Sequence, residues 1–303
     1  MAVTARQSPD FRTISDFRKR HLPALGERFT QVLQLCQKAG LVSLGHVALD
    51  GTKIRANASK HKAMSYSRMK TAEPALAAEV AQWLAKAAAS DAREDEHPSD
   101  RSRRGRPAKN PPGTPHDRAQ RNFTDPDSRI MKAQDGFIQG YNAQAAVDAA
   151  HQVIVAHGLT SQVSDTHQLE PMLASIKANM GRQARELSAD AGYCSEPNLS
   201  ALARRHVRGY VATGRQQHGT PSATGRRKTV PRTRVHAMKI RLKRAGYRRR
   251  YRFRKQVVEP VFGQIKQARG FRQFLLWGLS QVAGEWSLLC SVHNMLKLVG
   301  ARG

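Results

Sequence analysis

The order of strand-like and helix-like segments in the second half of the chain constrains its fold most strongly. Residues 136–161 form two runs of apolar and small residues that meet at Asp-Ala-Ala-His-Gln, which predicts two antiparallel strands. A helix (164–181), a strand (184–190), a capped helix (195–206) and a strand (207–214) are then predicted in alternation. A hairpin followed by this alternation predicts an α/β fold, in which helices flank a mixed sheet.

The segments before the hairpin add helices and one more strand. Residues 9–40 predict two short helices that stop at Gly40, and residues 46–49 predict a strand that ends in a tight turn at Asp50-Gly51. The second helix places five apolar residues on one face, namely Phe29, Val32, Leu33, Leu35 and Cys36. The periodic segments at 248–268 and 278–300 predict two final helices.

The charge of the chain points to a polyanionic partner. The 303 residues carry 51 Lys and Arg against 23 Asp and Glu, a formal net charge of +28. No acid occurs between Glu196 and Glu259, where bases recur among apolar residues. The apolar residues favour an ordered segment that contacts DNA, part strand and part helix, over a solvated basic tail. Affinity for DNA through this segment is expected to fall steeply with salt.

A long segment rich in Pro, Gly and charge interrupts the predicted sheet. An Ala-rich helix is predicted at 71–90, and a flexible loop at 91–122. Within that loop, Arg104-Gly105-Arg106-Pro107 resembles the core of an AT-hook, which lies in a narrow minor groove. Such sequences are also common in basic linkers, so Arg104 and Arg106 are candidate DNA contacts, with a plain linker as the alternative.

Several protein classes are excluded. No run of about 18 apolar residues occurs, which excludes a transmembrane helix, and the N-terminus lacks the apolar core of a signal peptide. Three widely spaced cysteines form neither a disulfide framework nor a zinc motif, so a reducing cytoplasm is expected. The twelve histidines show no spacing typical of zinc ligands.

Three acids are candidates for metal-dependent chemistry on nucleic acid, in which carboxylates hold two cations. Asp50 and Asp190 each end a predicted strand, and Glu259 is the first acid after the basic segment, at the expected start of a helix. Each also has a structural alternative, which is a turn for Asp50, a cap for Asp190 and a macrodipole contact for Glu259.

Other acids are weaker candidates. Asp125 and Asp127 flank a proline in a loop that enters the predicted core, and they compete for a metal-binding role. Asp148 lies at the predicted hairpin turn, and Ser164 or Asp165 is the expected helix cap, so both aspartates are interpreted as structural.

Several motifs together resemble a known family. They are VALDGTKIRANASK, TDPDSRIMK, GYNAQAAVDAAHQVIVA, SADAGYCSEPNL and YRFRKQVVEPVFGQIKQARGFRQF, in that order along the chain. They are similar to the DDE transposases of bacterial insertion sequences, in the broad IS4/IS5 superfamily and most closely its IS1182-like members. The resemblance runs from about Asp10 to the C-terminus. It implies an RNase H-like fold with Asp50 on the first strand, Asp190 on the fourth and Glu259 on a later helix.

The resemblance also implies a chemistry and a set of partners. Asp50, Asp190 and Glu259 would bind two Mg²⁺ or Mn²⁺ ions for cleavage and transfer of DNA strands at the ends of the element. The partners are double-stranded DNA and, on that DNA, a second copy of the chain, in the cytoplasm at the nucleoid. In the family a tyrosine and two basic residues accompany the glutamate. The expected DNA contacts are Tyr251, Lys255 with Arg254 one residue earlier, Lys266, Arg248, Arg249 and Arg250.

The resemblance further suggests how the chain is divided. Residues 1–45 would be a helical remnant of an N-terminal recognition domain, residues 46–62 and 130–303 the catalytic domain, and residues 63–129 a basic insertion. Two alternatives to a transposase stay open. One is a truncated, non-catalytic DNA-binding remnant, and the other is a host RNase H-like nuclease that acts on RNA or hybrids without strand transfer.

Overall fold

The computed structural model describes residues 10–65, 120–133, 136–214 and 232–301. The predicted helix at 71–90 and the AT-hook-like residues Arg104 and Arg106 lie outside these residues. Among the described helices, none is both long enough and apolar enough to cross a membrane.

A six-stranded mixed sheet forms the centre of the molecule. Its order is β4-β5-β1-β7-β8, with β6 also paired to β5. Strands β7 and β8 run parallel to β1, whereas β4, β5 and β6 form antiparallel pairs. A separate two-stranded sheet pairs β2 with β3. The strands are β1 (His46–Arg55), β2 (Ala63–Ser65), β3 (Gln120–Asn122), β4 (Arg129–Ala133), β5 (Gly136–Asp148), β6 (Ile154–Thr160), β7 (Glu186–Ala189) and β8 (Arg208–Val211).

Helices cover this sheet, which confirms the predicted mixed α/β class. The described helices are α1 (Phe11–Arg20), α2 (Leu22–Lys38), α3 (Leu169–Met180), α4 (Glu196–Arg204), α5 (Arg234–Leu242), α6 (Ala245–Gly263) and α7 (Leu279–Gly300). A π-helical segment, Gln264–Ala268, continues α6. The predicted hairpin, the two N-terminal helices and the final helix are confirmed, and Ser195 caps α4 by accepting from the Asn198 N–H.

Buried side chains from the sheet and the helices share one core. Trp286 of α7 is fully buried and donates from Nε1 to the carbonyl of Gln144 in β5 at 3.1 Å. Asn294, also on α7, bonds both the N–H and the carbonyl of Ile154 in β6 at 2.8 Å. These bonds fix α7 against the sheet because each satisfies a polar group that is buried. The predicted apolar face of α2 is wrong in one position, since Leu35 is 51% exposed.

The predicted turn at Asp50-Gly51 is wrong, because β1 continues to Arg55. Gly51 lies within the strand, opposite Gln144 of β5. A Cβ atom on Gly51 would lie 2.4 Å from Gln144 Nε2 and 2.8 Å from Asp165 Oδ1. The glycine is therefore explained by close packing against polar side chains, which local sequence does not reveal.

Candidate active site

Two of the three predicted acids meet at neighbouring strands. Strands β1 and β7 pair in parallel, and their last residue pair is Leu49 with Ala189. Asp50 directly follows Leu49, and Asp190 directly follows Ala189. The parallel pairing therefore brings the two carboxylates to the same edge of the paired region. Beyond this point β1 stays paired with β5 alone, with Asp50 opposite Ala145.

Asp50 is largely buried and forms an ion pair. Its Oδ1 accepts from the Gly51 N–H at 2.9 Å, and its Oδ2 accepts from Arg254 Nη1 of α6. Burial raises the pKa of Asp50 to about 6, against the opposing effect of Arg254, and the charge of Asp190 raises it further. Arg254 is itself buried, so its guanidinium is the internal counter-charge of this carboxylate.

Asp190 is half-buried at the start of a short 3₁₀ turn, Ala191–Tyr193. Its Oδ1 accepts from the Gly192 N–H at 2.8 Å, so the predicted capping role is present together with the position beside Asp50. Burial raises the pKa of Asp190, and the nearby charge of Asp165 raises it as well.

Asp165 is the third carboxylate of this region. It was predicted to be one of two candidate caps of α3, but that helix begins at Leu169 after Gln168, and no side chain caps it. Instead, Oδ1 of Asp165 accepts from Asn142 at 2.6 Å, Gln144 at 2.8 Å and Lys53 Nζ at 3.4 Å. We call Asp50, Asp165 and Asp190 the carboxylate cluster.

Glu259 does not join this cluster. It is exposed and lies near the end of α6, so the predicted position at a helix start is wrong. It lies five positions after Arg254, which corresponds to about 7.5 Å of rise and a rotation of about 140°. Among the described residues, no three His, Cys, Asp or Glu side chains are close enough to share one metal ion.

The basic residues on α6 differ in their surroundings. Arg254 reaches Asp50, whereas the adjacent Lys255 is exposed. Lys266, in the π-helical segment, donates to the backbone carbonyl of Lys53 at 3.0 Å, and burial lowers its pKa. The guanidinium of Arg250 lies 3.3 Å from Glu186. Arg248 is half-buried and Arg249 is exposed, and Tyr251 packs near Arg254 with 5.9 Å between its ring centroid and Cζ.

Asp125 and Asp127 hold other parts of the fold together. Asp125 is fully buried, accepts from the Tyr141 hydroxyl at 2.7 Å and also accepts from the Gly278 N–H. Asp127 accepts from the Leu279 N–H at 2.9 Å, at the start of α7. Both acids therefore have structural partners at the N-terminus of α7, where a negative charge is favoured.

Sequence reasoning missed the polar residues that surround the carboxylate cluster. Asn142 and Gln144 are two positions apart in β5, so they point to the same face, toward Gly51 and Asp165. Gln144 also accepts from the Tyr193 hydroxyl. Two polar residues at period-two spacing within a run of alanines and valine were the available signal, because a buried strand rarely carries them without partners.

The arrangement has the architecture expected of an RNase H-like protein, with acids at neighbouring strands of a mixed sheet beside a basic helix. The chain matches the family model described as the transposase DDE domain over residues 43–295, and it belongs to that family. No curated protein matches this chain.

Proposed function

We propose that this protein is a DNA transposase that cleaves and transfers DNA strands at the ends of an insertion sequence in a metal-dependent reaction. The observation that carries the proposal is the placement of Asp50 and Asp190 at neighbouring strands in a member of the transposase DDE domain family. An IS1182-like subfamily and the division into a catalytic domain and an insertion stay predictions.

The residues present fit a divalent cation. Asp50 and Asp190 supply carboxylate oxygens, which Mg²⁺ and Mn²⁺ prefer, and both side chains keep partial access to solvent. Burial raises the pKa of both acids, and a bound cation would favour their charged forms. When bound, two such ions supply an activated water for cleavage and an activated 3′-hydroxyl for strand transfer.

Glu259 is the proposed third acid. It lies on α6, the helix whose Arg254 contacts Asp50, and the family resemblance assigns it this role. Because Glu259 is exposed and turned away from Arg254, its participation requires α6 to rotate or shift when DNA and metal bind. Arg254 would then release Asp50 and become available to a phosphate.

The remaining residues of the site act on position and charge. Lys53, Asn142 and Gln144 donate to Asp165 and hold its carboxylate beside Asp50 and Asp190. The proposed phosphate contacts are Tyr251, Lys255, Lys266, Arg248, Arg249 and Arg250, all on α6 or the segment after it. Two copies of the chain would hold the two element ends, as a homodimer on DNA.

The test is a cleavage and strand-transfer assay on duplexes that carry the DNA flanking the gene, with Mg²⁺ or Mn²⁺. Asp190→Asn and Glu259→Gln should each slow cleavage at least about 100-fold, since even outer partners of metal ligands contribute 10- to 100-fold. Glu170→Gln is the matched control, because Glu170 is an exposed acid on α3 that pairs only with Arg204 and Arg205 among the described residues.

The possible outcomes separate the alternatives. Cleavage by Asp190→Asn and Glu259→Gln at the wild-type rate would refute the catalytic assignment. A wild-type chain that binds DNA but never cleaves it would be a non-catalytic remnant. Hydrolysis without strand transfer, and without preference for inverted-repeat ends, would identify an RNase H-like nuclease.

A further inference from the structure

A basic pocket lies apart from the carboxylate cluster, at the C-terminal end of α7. Its volume is about 440 Å³, which is within the range of small-ligand sites. It is bounded by the last turns of α7, the π-helical segment and the turn between β5 and β6. The side chains that matter for its chemistry are His151, Gln264, Arg269, His293, Leu296 and Lys297.

Only neutral groups hold the two cations of this pocket. Arg269 Nη1 lies 3.4 Å from Nδ1 of His293, and Lys297 Nζ donates to Oε1 of Gln152 at 2.9 Å. Within the described parts of the chain, neither Arg269 nor Lys297 forms a salt bridge. Arg250 and Arg254 of α6, by contrast, each meet a carboxylate.

His293 orients Arg269 as a neutral ring. Its Nε2 lies 2.9 Å from the backbone carbonyl of Gln152, so this nitrogen carries the proton and Nδ1 is left as an acceptor for Arg269. Burial, with the charges of Arg269 and Lys297, lowers the pKa of His293 to about 4. Burial also lowers the pKa of Arg269 and of Lys297. All three groups therefore lack an anion that would stabilise their charged forms.

Gln152 fixes this arrangement between two helices. Its side-chain Nε2 donates to the carbonyl of Gln256 at 3.1 Å. That carbonyl has no intrahelical partner, because Pro260, four residues later in α6, lacks an N–H. The backbone of Gln152 has φ of +58°, which a residue with a side chain rarely adopts. In this unfavourable backbone conformation, the Gln152 carbonyl oxygen lies against His293, and the side-chain Oε1 lies against Lys297.

We propose that this pocket binds a phosphate group of the DNA backbone, as a contact separate from the carboxylate cluster. The proposal rests on the proposed function, because it takes DNA as the source of the phosphate. A guanidinium and an ammonium together match the geometry and charge of a phosphate. The pocket is larger than a phosphate, and Leu296 offers an apolar wall to the adjoining sugar. The carbonyl end of α7 attracts cations, which helps to gather them there.

The first test is the salt dependence of DNA binding, measured on the full chain as wild type and as the double variant Arg269→Gln/Lys297→Gln. Each phosphate contact contributes about 0.9 to the slope of log affinity against log salt concentration. We expect the slope to fall by about 0.9, which corresponds to about eightfold in affinity between 1 M and 0.1 M salt. The control is Lys38→Gln/Lys177→Gln, which removes two exposed charges on α2 and α3. Its slope should stay close to wild type.

The second test is thermal unfolding with inorganic phosphate at constant ionic strength. Phosphate should raise the Tm of the wild type and of the control, but not that of Arg269→Gln/Lys297→Gln. Without phosphate, this variant and Lys297→Gln alone should melt no lower than wild type, because they remove mutual repulsion.

Three results would overturn the proposal. Equal slopes for wild type and the pocket variant would exclude a DNA phosphate, even if inorganic phosphate raises the Tm. A lower Tm for Lys297→Gln without phosphate would assign the pocket a structural role. A wild type with no affinity for DNA would remove the proposed function as well. Cleavage by Asp190→Asn at the wild-type rate, together with a reduced slope for Arg269→Gln/Lys297→Gln, would refute the catalytic assignment but leave the pocket proposal intact, so the two failures are distinguishable.

Discussion

The carboxylate cluster and the basic pocket at the end of α7 differ in whether their charges are matched within the chain. Asp50 pairs with Arg254, and Asp165 with Lys53. Arg269 and Lys297 meet only neutral partners in the described chain. The first region therefore carries its own counter-charges, whereas the second depends on an anion from outside the fold.

This difference is informative because acids are scarce in the chain, with 23 against 51 bases. Bases without an acidic partner are expected in such a composition. The close grouping of three acids, Asp50, Asp165 and Asp190, is not expected. Burial raises the pKa of Asp50 and Asp190, the neighbouring acids raise it further, and Arg254 offsets part of that rise. We interpret Arg254 and Lys53 as counter-charges that stabilise the carboxylate cluster as long as no metal ion or DNA is bound.

The largest expected effect concerns two adjacent residues of α6. Arg254→Gln leaves the buried carboxylate of Asp50 without a counter-charge, which should lower the free energy of unfolding by about 3–5 kcal/mol. Lys255→Gln, one residue later and exposed, should change it by less than about 0.5 kcal/mol. Urea unfolding with a metal chelator present measures both. Equal effects would mean that Asp50 is not charged beside Arg254.

A smaller effect is expected from packing around the cluster. Gly51→Ala adds a Cβ within 3 Å of Gln144, Asp165 and Asn142, and overpacking of this kind costs about 1–3 kcal/mol. Gly45→Ala is the control, because its Cβ would meet only Ser43 at 3.5 Å, which is an ordinary contact. Chemical denaturation of both variants measures the difference. A Gly51→Ala chain as stable as the control would show that the polar side chains are free to move aside.

The smallest effect is a pH dependence in the basic pocket. The pKa of His293 is about 4 in the folded chain, whereas its ordinary value, which applies to the unfolded chain, is 6.5. As pH falls, the unfolded state therefore binds a proton before the folded state does. Stability should therefore decrease below pH 6.5, by about 1–2 kcal/mol between pH 7 and pH 5 from this residue. His293→Gln should remove that part of the decrease. The free energy of unfolding of wild type and variant, measured at several pH values, tests this. An unchanged profile would place the acid sensitivity elsewhere.

The parts of the fold that depend on local signals could be predicted from the sequence. Gly40 ends α2 with φ of +76°, and Ser195 caps α4, because both roles involve only neighbouring residues. The continuation of β1 through Gly51 depends on its pairing with β5, a strand far along the chain, which no local pattern contains. The exposure of Leu35 likewise depends on which part of α2 the rest of the chain covers.

The candidate site was predictable to a similar extent. Strand order was enough to place Asp50 beside Asp190, because each acid directly follows the paired stretch of two parallel strands. The role of Asp165 was mistaken for a possible helix cap, since its partners lie on β1 and β5. The family motif left Arg254 and Lys255 as alternatives for the basic residue that accompanies Glu259, and their contacts differ, because Arg254 reaches Asp50 and Lys255 is exposed.

Binding of Mn²⁺ to the full chain tests the central claim most directly, because that claim assigns the metal to Asp50 and Asp190. Titration calorimetry should show Mn²⁺ binding by wild type and Glu170→Gln, and at least tenfold weaker binding by Asp190→Asn. Asp190→Asn that binds Mn²⁺ as tightly as wild type would contradict the claim.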